Sequence, residues 1–442
     1  MNSPQTSTIT PQVRAWSMPA SWLTLLPLLY FSENGSLIPR VDDPTFRLAD
    51  TGGAGLSHRL SLAIVIVICC VLIRTRLPGV IAMCGRLKML LALPVLALLS
   101  SLWSAKPSQT LVGGAVFLIF TLFAFYICTR FDAGQQLDLI MMTGALTLAA
   151  SLVLVILAPR LSTSPVGWTG IFSHKQNCAA VSALLLVTAL HWNPVGLAQK
   201  LSSLLIAGSS LVLLIMSQSR TGWALCIFAL FLLSAIWFIQ RIKSKDALLL
   251  AFAVVPPGTA LVLGLYHFKS SLLHAGGSSL LRAVGKDPTF TQRTIIWAAA
   301  WHAIGKHPLL GYGYAGFWDG THGPSLNIVL VAGWLLAQAQ DGYLDLWLQL
   351  GTIGIVAFAL LIGQALRNAI VSLHVNGLKI HARWSVVVIV CTLIYNIGET
   401  SMLMPQLVWV LFLVAVIGLS EGVHATKGLH LAAEEPQYAA YQ

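Results

Sequence analysis

Long apolar stretches recur along this chain, separated by short polar breaks, and charged residues avoid them. They lie near 15–32, 57–75, 88–105, 108–129, 138–158, 177–193, 201–219, 221–240, 247–267, 342–366, 382–398 and 402–420. Since a helix of about 20 apolar residues crosses a bilayer, the pattern predicts an all-α polytopic membrane protein with about 12 transmembrane helices. Pro19 and Pro27 interrupt the first stretch, and Arg59 and Arg74 bracket a short second one. Both arginines are long enough to snorkel outward. Pro256-Pro257 predicts a kink in the ninth stretch.

Charge in the breaks orients the stretches. Arg74, Arg76, Arg86 and Lys88 lie in 74–88, Arg241, Lys243 and Lys245 in 241–246, and Arg367, Lys379 and Arg383 in 367–383. All three breaks follow even-numbered stretches, so the positive-inside rule predicts that side, and both termini, to be cytoplasmic. The outward loops are short except 33–56 and 268–341. The latter is too long for a connector and predicts a functional element. Within it an interfacial helix is expected from Thr291 to Gly305. Thr291 would be its N-cap, and Trp297, Trp301 and Ile304 would share one apolar face. The chain divides into 1–160 (N-terminal transmembrane helices), 161–420 (the region holding loop 268–341) and 421–442 (a cytoplasmic tail).

Composition sharpens this. Hydrophobic residues make up 57% of the 442 and charged residues 9%, with a mean hydropathy of +0.80. A soluble chain carries about a quarter charged residues, so a soluble fold is excluded. The net charge of +11 does not point to nucleic acid, because the cations follow membrane topology rather than forming runs. Seven scattered cysteines lack metal-ligand spacing and read as packing residues. No metal and no cofactor is expected. The N-terminus shows no short apolar core with a small-residue cleavage site, so no removable signal peptide is expected.

Against so apolar a background, cations on the outer side need a reason. Arg220 sits in Ser217-Gln218-Ser219-Arg220-Thr221-Gly222, in a tight turn between two charge-free stretches. Arg293 would fall in the first turn of the interfacial helix, where unpaired N–H groups and the dipole already favour anions. Two guanidiniums at a membrane boundary suit a lipid-linked diphosphate. Lys175, with His174 beside it and Arg160 nearby, lies in another outer loop. Asp341 and Asp345 are four apart and share a helical face. Asp341 could accept a proton from a sugar hydroxyl or cap the helix. Glu399 lies at an outer span end, where an acid is functional by default. Tyr312, Tyr314 and Trp318, in a Gly/aromatic turn region, are candidates to grip glycan. That glycine-rich run follows no strand and is no nucleotide loop.

Five blocks in order resemble the O-antigen ligase and O-antigen polymerase family, closest to its exopolysaccharide-polymerase branch. They are Gly170 to Lys175, Ser217 to Gly222, Gly285 through Arg293 and Trp297 to Gly313, Gly342 to Gly351, and Asn396 to Leu403. Their order and spacing fit from about 165 to 420, the earlier residues matching only in hydropathy. The resemblance implies a metal-independent membrane glycosyltransferase of the bacterial inner membrane. It would take glycan from an undecaprenyl diphosphate-linked oligosaccharide at the periplasmic face and join it to an acceptor glycan. Membrane lipid and other polysaccharide-assembly membrane proteins are its expected partners. Arg220 and Arg293 match family arginines that hold the diphosphate. The family pattern His-Ala-His-Asn reads Gln338-Ala339-Gln340-Asp341 here, so Gln340 stands where the presumed base would be. Lys286 and Gln292 stand where Arg and Gly are common.

The expected chemistry is an inverting transfer in which Arg220, Arg293 and Lys175 bind diphosphate. Asp341, with Gln340, orients or deprotonates the acceptor, while Tyr312, Tyr314, Trp318 and Glu399 bind glycan. Two other classes fit the same pattern, a lipid-linked glycan transporter and a non-catalytic glycan-binding relative. A transporter would line a polar path near the bilayer midplane.

Overall fold

The computed structural model describes residues 19–32, 56–194, 196–239, 290–320, 323–333, 335–374 and 379–439. The stretch 247–267 with Pro256-Pro257, most of loop 33–56, loop 241–246, and Lys286 with its neighbours lie outside these residues. Every other expected stretch overlaps a helix. The helices are α1 (Pro19–Ser32), α2 (Leu56–Thr75), α3 (Leu77–Arg86), α4 (Lys88–Leu99), α5 (Pro107–Arg130), α6 (Ala133–Leu157) and α7 (Lys175–His191). They continue with α8 (Leu197–Met216), α9 (Arg220–Ile239), α10 (Phe290–Lys306), α11 (Leu326–Ala332), α12 (Gly342–His374), α13 (Lys379–Tyr395) and α14 (Leu407–Ala439). One antiparallel hairpin, β1 (Thr163–Ser164) with β2 (Gly167–Trp168), precedes α7.

The expected count of twelve is not reached among the described residues. Among the described residues five helices are long and apolar enough to cross a membrane, or six if α2 and α3 count as one bent span. Shorter apolar segments of 10–17 residues are Lys88–Leu102, Gly323–Ala332, His381–Tyr395 and the Leu407–Val423 part of α14. At 1.5 Å per residue, 17 residues reach only about 26 Å, short of a full hydrocarbon core. The sequence also suggested a loop over 74–88. Instead α3 fills it, turned 87° from α2, with Pro78 in its first turn where a missing N–H costs nothing.

Small residues let the helices approach. A Cβ on Gly144 would meet the Leu185 side chain, and one on Gly222 would overlap Ala179. Such contacts replace the hydrophobic drive that lipid removes. The start of α6 is fixed by a capping box: Gln135 N donates to Asp132 Oδ1 at 2.9 Å and Asp132 N to Gln135 Oε1 at 3.1 Å.

α7 runs between two distinct ends of the bundle. At its C-terminal end, His191 interacts with His381, whose ring fills the space a Cβ on Gly418 would take. Nearby Asn368 Nδ2 donates to Ser420 Oγ at 2.6 Å, and Arg86 pairs with Glu421 at 3.2 Å. Breaks 74–88 and 367–383 therefore share one end, as their charge predicted. The opposite end carries Lys175 and the candidate site.

Candidate functional site

Three chain segments converge at that opposite end. The first is α10, which begins at Phe290 and so encloses Thr291, whose side chain lies outside the description. Its buried face is Ile296, Ala300, Ala303 and Ile304 rather than a tryptophan stripe. Trp301 is 52% exposed and meets only the edge of Trp347. Trp297 Nε1 donates to Ala339 O at 3.1 Å, tying α10 to the segment before α12.

The second segment is the start of α12. Asp341 Oδ1 accepts from Tyr343 N at 2.9 Å and Leu344 N at 3.0 Å, so Asp341 is the helix cap. Its other oxygen has no hydrogen bond among the described residues. Gln340 is held at φ 55, in the left-handed region, and its amide makes no hydrogen bond among the described residues. Asp345 is 1% exposed and fully committed. Its Oδ1 accepts from Trp318 Nε1 at 2.8 Å and its Oδ2 from Thr400 Oγ1 at 2.6 Å, and Ala339 N lies within 3.1 Å of both oxygens.

The third segment is the loop after α13. Asn396 organises it: Oδ1 accepts from Ser401 N at 2.8 Å and Met402 N at 2.9 Å, and Nδ2 donates to Ser401 Oγ. Gly342 N donates to Asn396 O, and a Cβ on Gly342 would overlap the Asn396 side chain. This brings Gly398 and Glu399 onto Arg293. Arg293 Nη1 donates to Gly398 O, and Nη2 donates to Glu399 Oε1 at 2.8 Å. Arg293 also acts electrostatically on Asp341. Burial raises both carboxyls above their ordinary values. For Asp341 the Leu344 and Tyr343 N–H groups and Arg293 oppose this, and for Glu399 Arg293 alone does.

The remaining cations stand at two helix starts. Lys175 opens α7, and its Nζ donates to Val166 O at 2.6 Å in the hairpin. The hairpin in turn packs on the Arg220 turn, since a Cβ on Gly167 would overlap Ser217 O. Ser219 caps α9, its Oγ accepting from Gly222 N at 3.2 Å. Arg220 follows it, exposed and without a hydrogen bond or ion pair among the described residues. Tyr395 joins the two groups: its hydroxyl donates to Asn177 Oδ1 at 3.2 Å in the first turn of α7, and its carbonyl accepts from Glu399 N. Arg220, Lys175, Arg293, Asp341 and Glu399 thus share one end of the molecule. No direct contact joins Arg220 to Arg293.

The aromatic candidates turn inward. Tyr314 stacks on Phe117, and its hydroxyl donates to Leu403 O at 2.6 Å. Trp318 is buried, its N–H spent on Asp345. Tyr312 donates to Ala303 O at 2.9 Å and packs edge-on against His307 and Phe317. These rings build the loop that carries the site instead of presenting faces to a ligand. Asn396, Tyr395 and Asn177 escaped sequence reasoning, because nothing marks a buried amide before its partners are known. Among the described residues no group of three or more His, Cys, Asp or Glu could hold a metal ion.

No curated protein matches the chain. A sequence model of the family described as O-Antigen ligase matches residues 203–359, a span holding Arg220, Arg293, Gln340 and Asp341 and stopping before Glu399. The similarity to the O-antigen ligase family therefore covers residues 203–359 of the 442.

Proposed function

We propose that this protein is a membrane glycosyltransferase that transfers or polymerises glycan from an undecaprenyl diphosphate-linked donor at the periplasmic face. The observation that carries the reading is Arg293 paired with Glu399 and within electrostatic reach of Asp341, at the bundle end where Lys175 and Arg220 head two helix N-termini. Helix starts and guanidiniums both attract phosphate oxygens. Similarity to the O-antigen ligase family over residues 203–359 supports glycosyl transfer over other uses of such a site.

In this reading the apolar spans hold the polyprenyl tail. Arg220, Lys175 and Arg293 bind the diphosphate and stabilise the charge that develops as the glycosidic bond breaks. The acceptor hydroxyl attacks the anomeric carbon from the side opposite the diphosphate, and configuration inverts. The carboxylates beside Arg293 receive that hydroxyl.

The test is transfer by purified protein in lipid, read as glycan joined to acceptor and undecaprenyl diphosphate released. Arg293→Ala and Arg220→Ala are each expected to lower turnover by about 10²–10³-fold, the scale of losing one preorganised charge contact. Unchanged turnover in both overturns the mechanism. Donor crossing the bilayer without bond cleavage would instead make the protein a transporter.

A further inference from the structure

We propose that Glu399 is the general base that takes the acceptor hydroxyl's proton, and that Asp341 only orients that hydroxyl. This rests on the glycosyl-transfer reading and adds the residue that reading lacks.

The neighbouring groups are eliminated one by one. The Gln340 amide takes no proton at neutral pH. Asp345 has both oxygens engaged by Trp318, Ala339 and Thr400 and is 1% exposed, so it reaches no substrate. Asp341 spends Oδ1 on two backbone N–H groups of α12. Those bonds fix its carboxylate in place as the cap of α12.

Glu399 differs in geometry. Oε1 is anchored on Arg293 at 2.8 Å. Oε2 has no hydrogen bond among the described residues, and it is not one of the enclosed unpartnered atoms there. Glu399 is 6% exposed, anchored through Oε1, and its Oε2 is the edge not fully enclosed. Arg293 holds Gly398 O through Nη1 and Glu399 through Nη2. A diphosphate drawn to the same positive charge would put base and leaving group beside one cation.

The step balances as follows. The acceptor oxygen forms its bond to the anomeric carbon as the bond from that carbon to the diphosphate oxygen breaks. That electron pair leaves on the diphosphate. The hydroxyl proton moves to Glu399 Oε2, giving a carboxylic acid, and later passes to water. When Glu399 becomes neutral, Arg293 loses the anionic partner on Nη2, and more of its charge is available to the departing diphosphate. Proton uptake and leaving-group stabilisation are therefore coupled through one side chain. Burial, which raises the Glu399 carboxyl above its ordinary value, strengthens it as a base.

Glu399→Gln keeps an oxygen to accept from Arg293 and cannot take a proton, so it separates chemistry from positioning. With the lipid-linked donor and acceptor glycan, E399Q is expected to lower kcat by about 10²–10⁴-fold. Donor KM should stay within about twofold, and the acid limb of the kcat–pH profile should vanish. Three results overturn the role: near wild-type turnover, a loss confined to donor KM, or an acid limb that persists in E399Q and disappears in His174→Gln. If E399Q does not fold, E399D decides. An acid limb moved from its wild-type position supports the base, and an unmoved one overturns it. Wild-type turnover with an active E399Q sinks Glu399 alone, whereas a wild type that neither binds nor cleaves the donor sinks the glycosyl-transfer reading as well.

Discussion

Replacing Asp345 tests whether the site end is held by one buried carboxylate. Its two oxygens accept from Trp318 Nε1, Ala339 N and Thr400 Oγ1, which belong to three separate segments. In Asp345→Ala all three donors lose their partner inside a packed region. Each hydrogen bond to a charged group contributes about 1.5–3 kcal/mol, but the sum is an upper bound because the segments relax together. The expected cost is about 3–5 kcal/mol, the scale of removing one member of a buried polar network. Asp345→Asn keeps one oxygen for Trp318 and Ala339, and the Thr400 hydroxyl can turn to accept from the new amide. It should therefore cost about 1 kcal/mol, one ordinary hydrogen bond. Thermal unfolding in detergent, followed by tryptophan fluorescence, measures both, and Trp318 reports on the site directly. A double-mutant cycle with Thr400→Val should show about 0.5–3 kcal/mol of coupling. Equal stability of the Ala and Asn variants, or no coupling to Thr400, refutes the reasoning.

Gly222→Ala would overlap Ala179, so it should destabilise by about 1–3 kcal/mol through overpacking and raise donor KM by displacing the Arg220 turn. Gly208→Ala meets open space and should be neutral or stabilising; equal melting shifts in the two variants would refute this. Burial holds the Asp341 carboxyl above its ordinary value, so between those two values the folded state binds more protons than the unfolded chain. Its contribution to stability is then lost as pH rises and regained as pH falls. Asp341→Asn keeps the cap and removes that titration. The melting temperature of wild type minus that of the variant should therefore increase on acidification from neutral pH, and a decrease would refute the sign.

Spacing and charge made much of the architecture legible. Arg86 and the region after residue 420 meet at one end because loop cations and chain length dictate it. Arg220 and Arg293 stood out because charge is scarce in so apolar a chain. Tyr314 and Trp318 turn inward for a physical reason. In a polytopic protein a loop that returns to the bundle must bury something, and Tyr314 and Trp318 do that here. Helix α3 was missed because a 10-residue helix with Pro and Gly carries the signals of a turn. Glu399 read as a glycan contact until Asn396 was seen to fold its loop back onto Arg293. That partnership spans 106 residues of chain, and local pattern carries no trace of it.

Gly351, at φ 64 and ψ −167, divides α12 into unequal pieces. A Cβ there would overlap Leu309 O, and Thr352 N and Tyr312 N each cross the break, to Pro308 O and Leu348 O at 2.8 Å. The 342–350 piece is joined to 308–313 through Tyr312 N to Leu348 O and Gly313 N to Gln349 O, while the start of the long rod that follows is joined to the same segment through Thr352 N to Pro308 O and Ile353 N to Leu309 O. Mechanically, 308–313 is a clamp across the break. Amides in 308–313 and 342–353 should open to solvent together in hydrogen exchange, in a unit separate from 354–372.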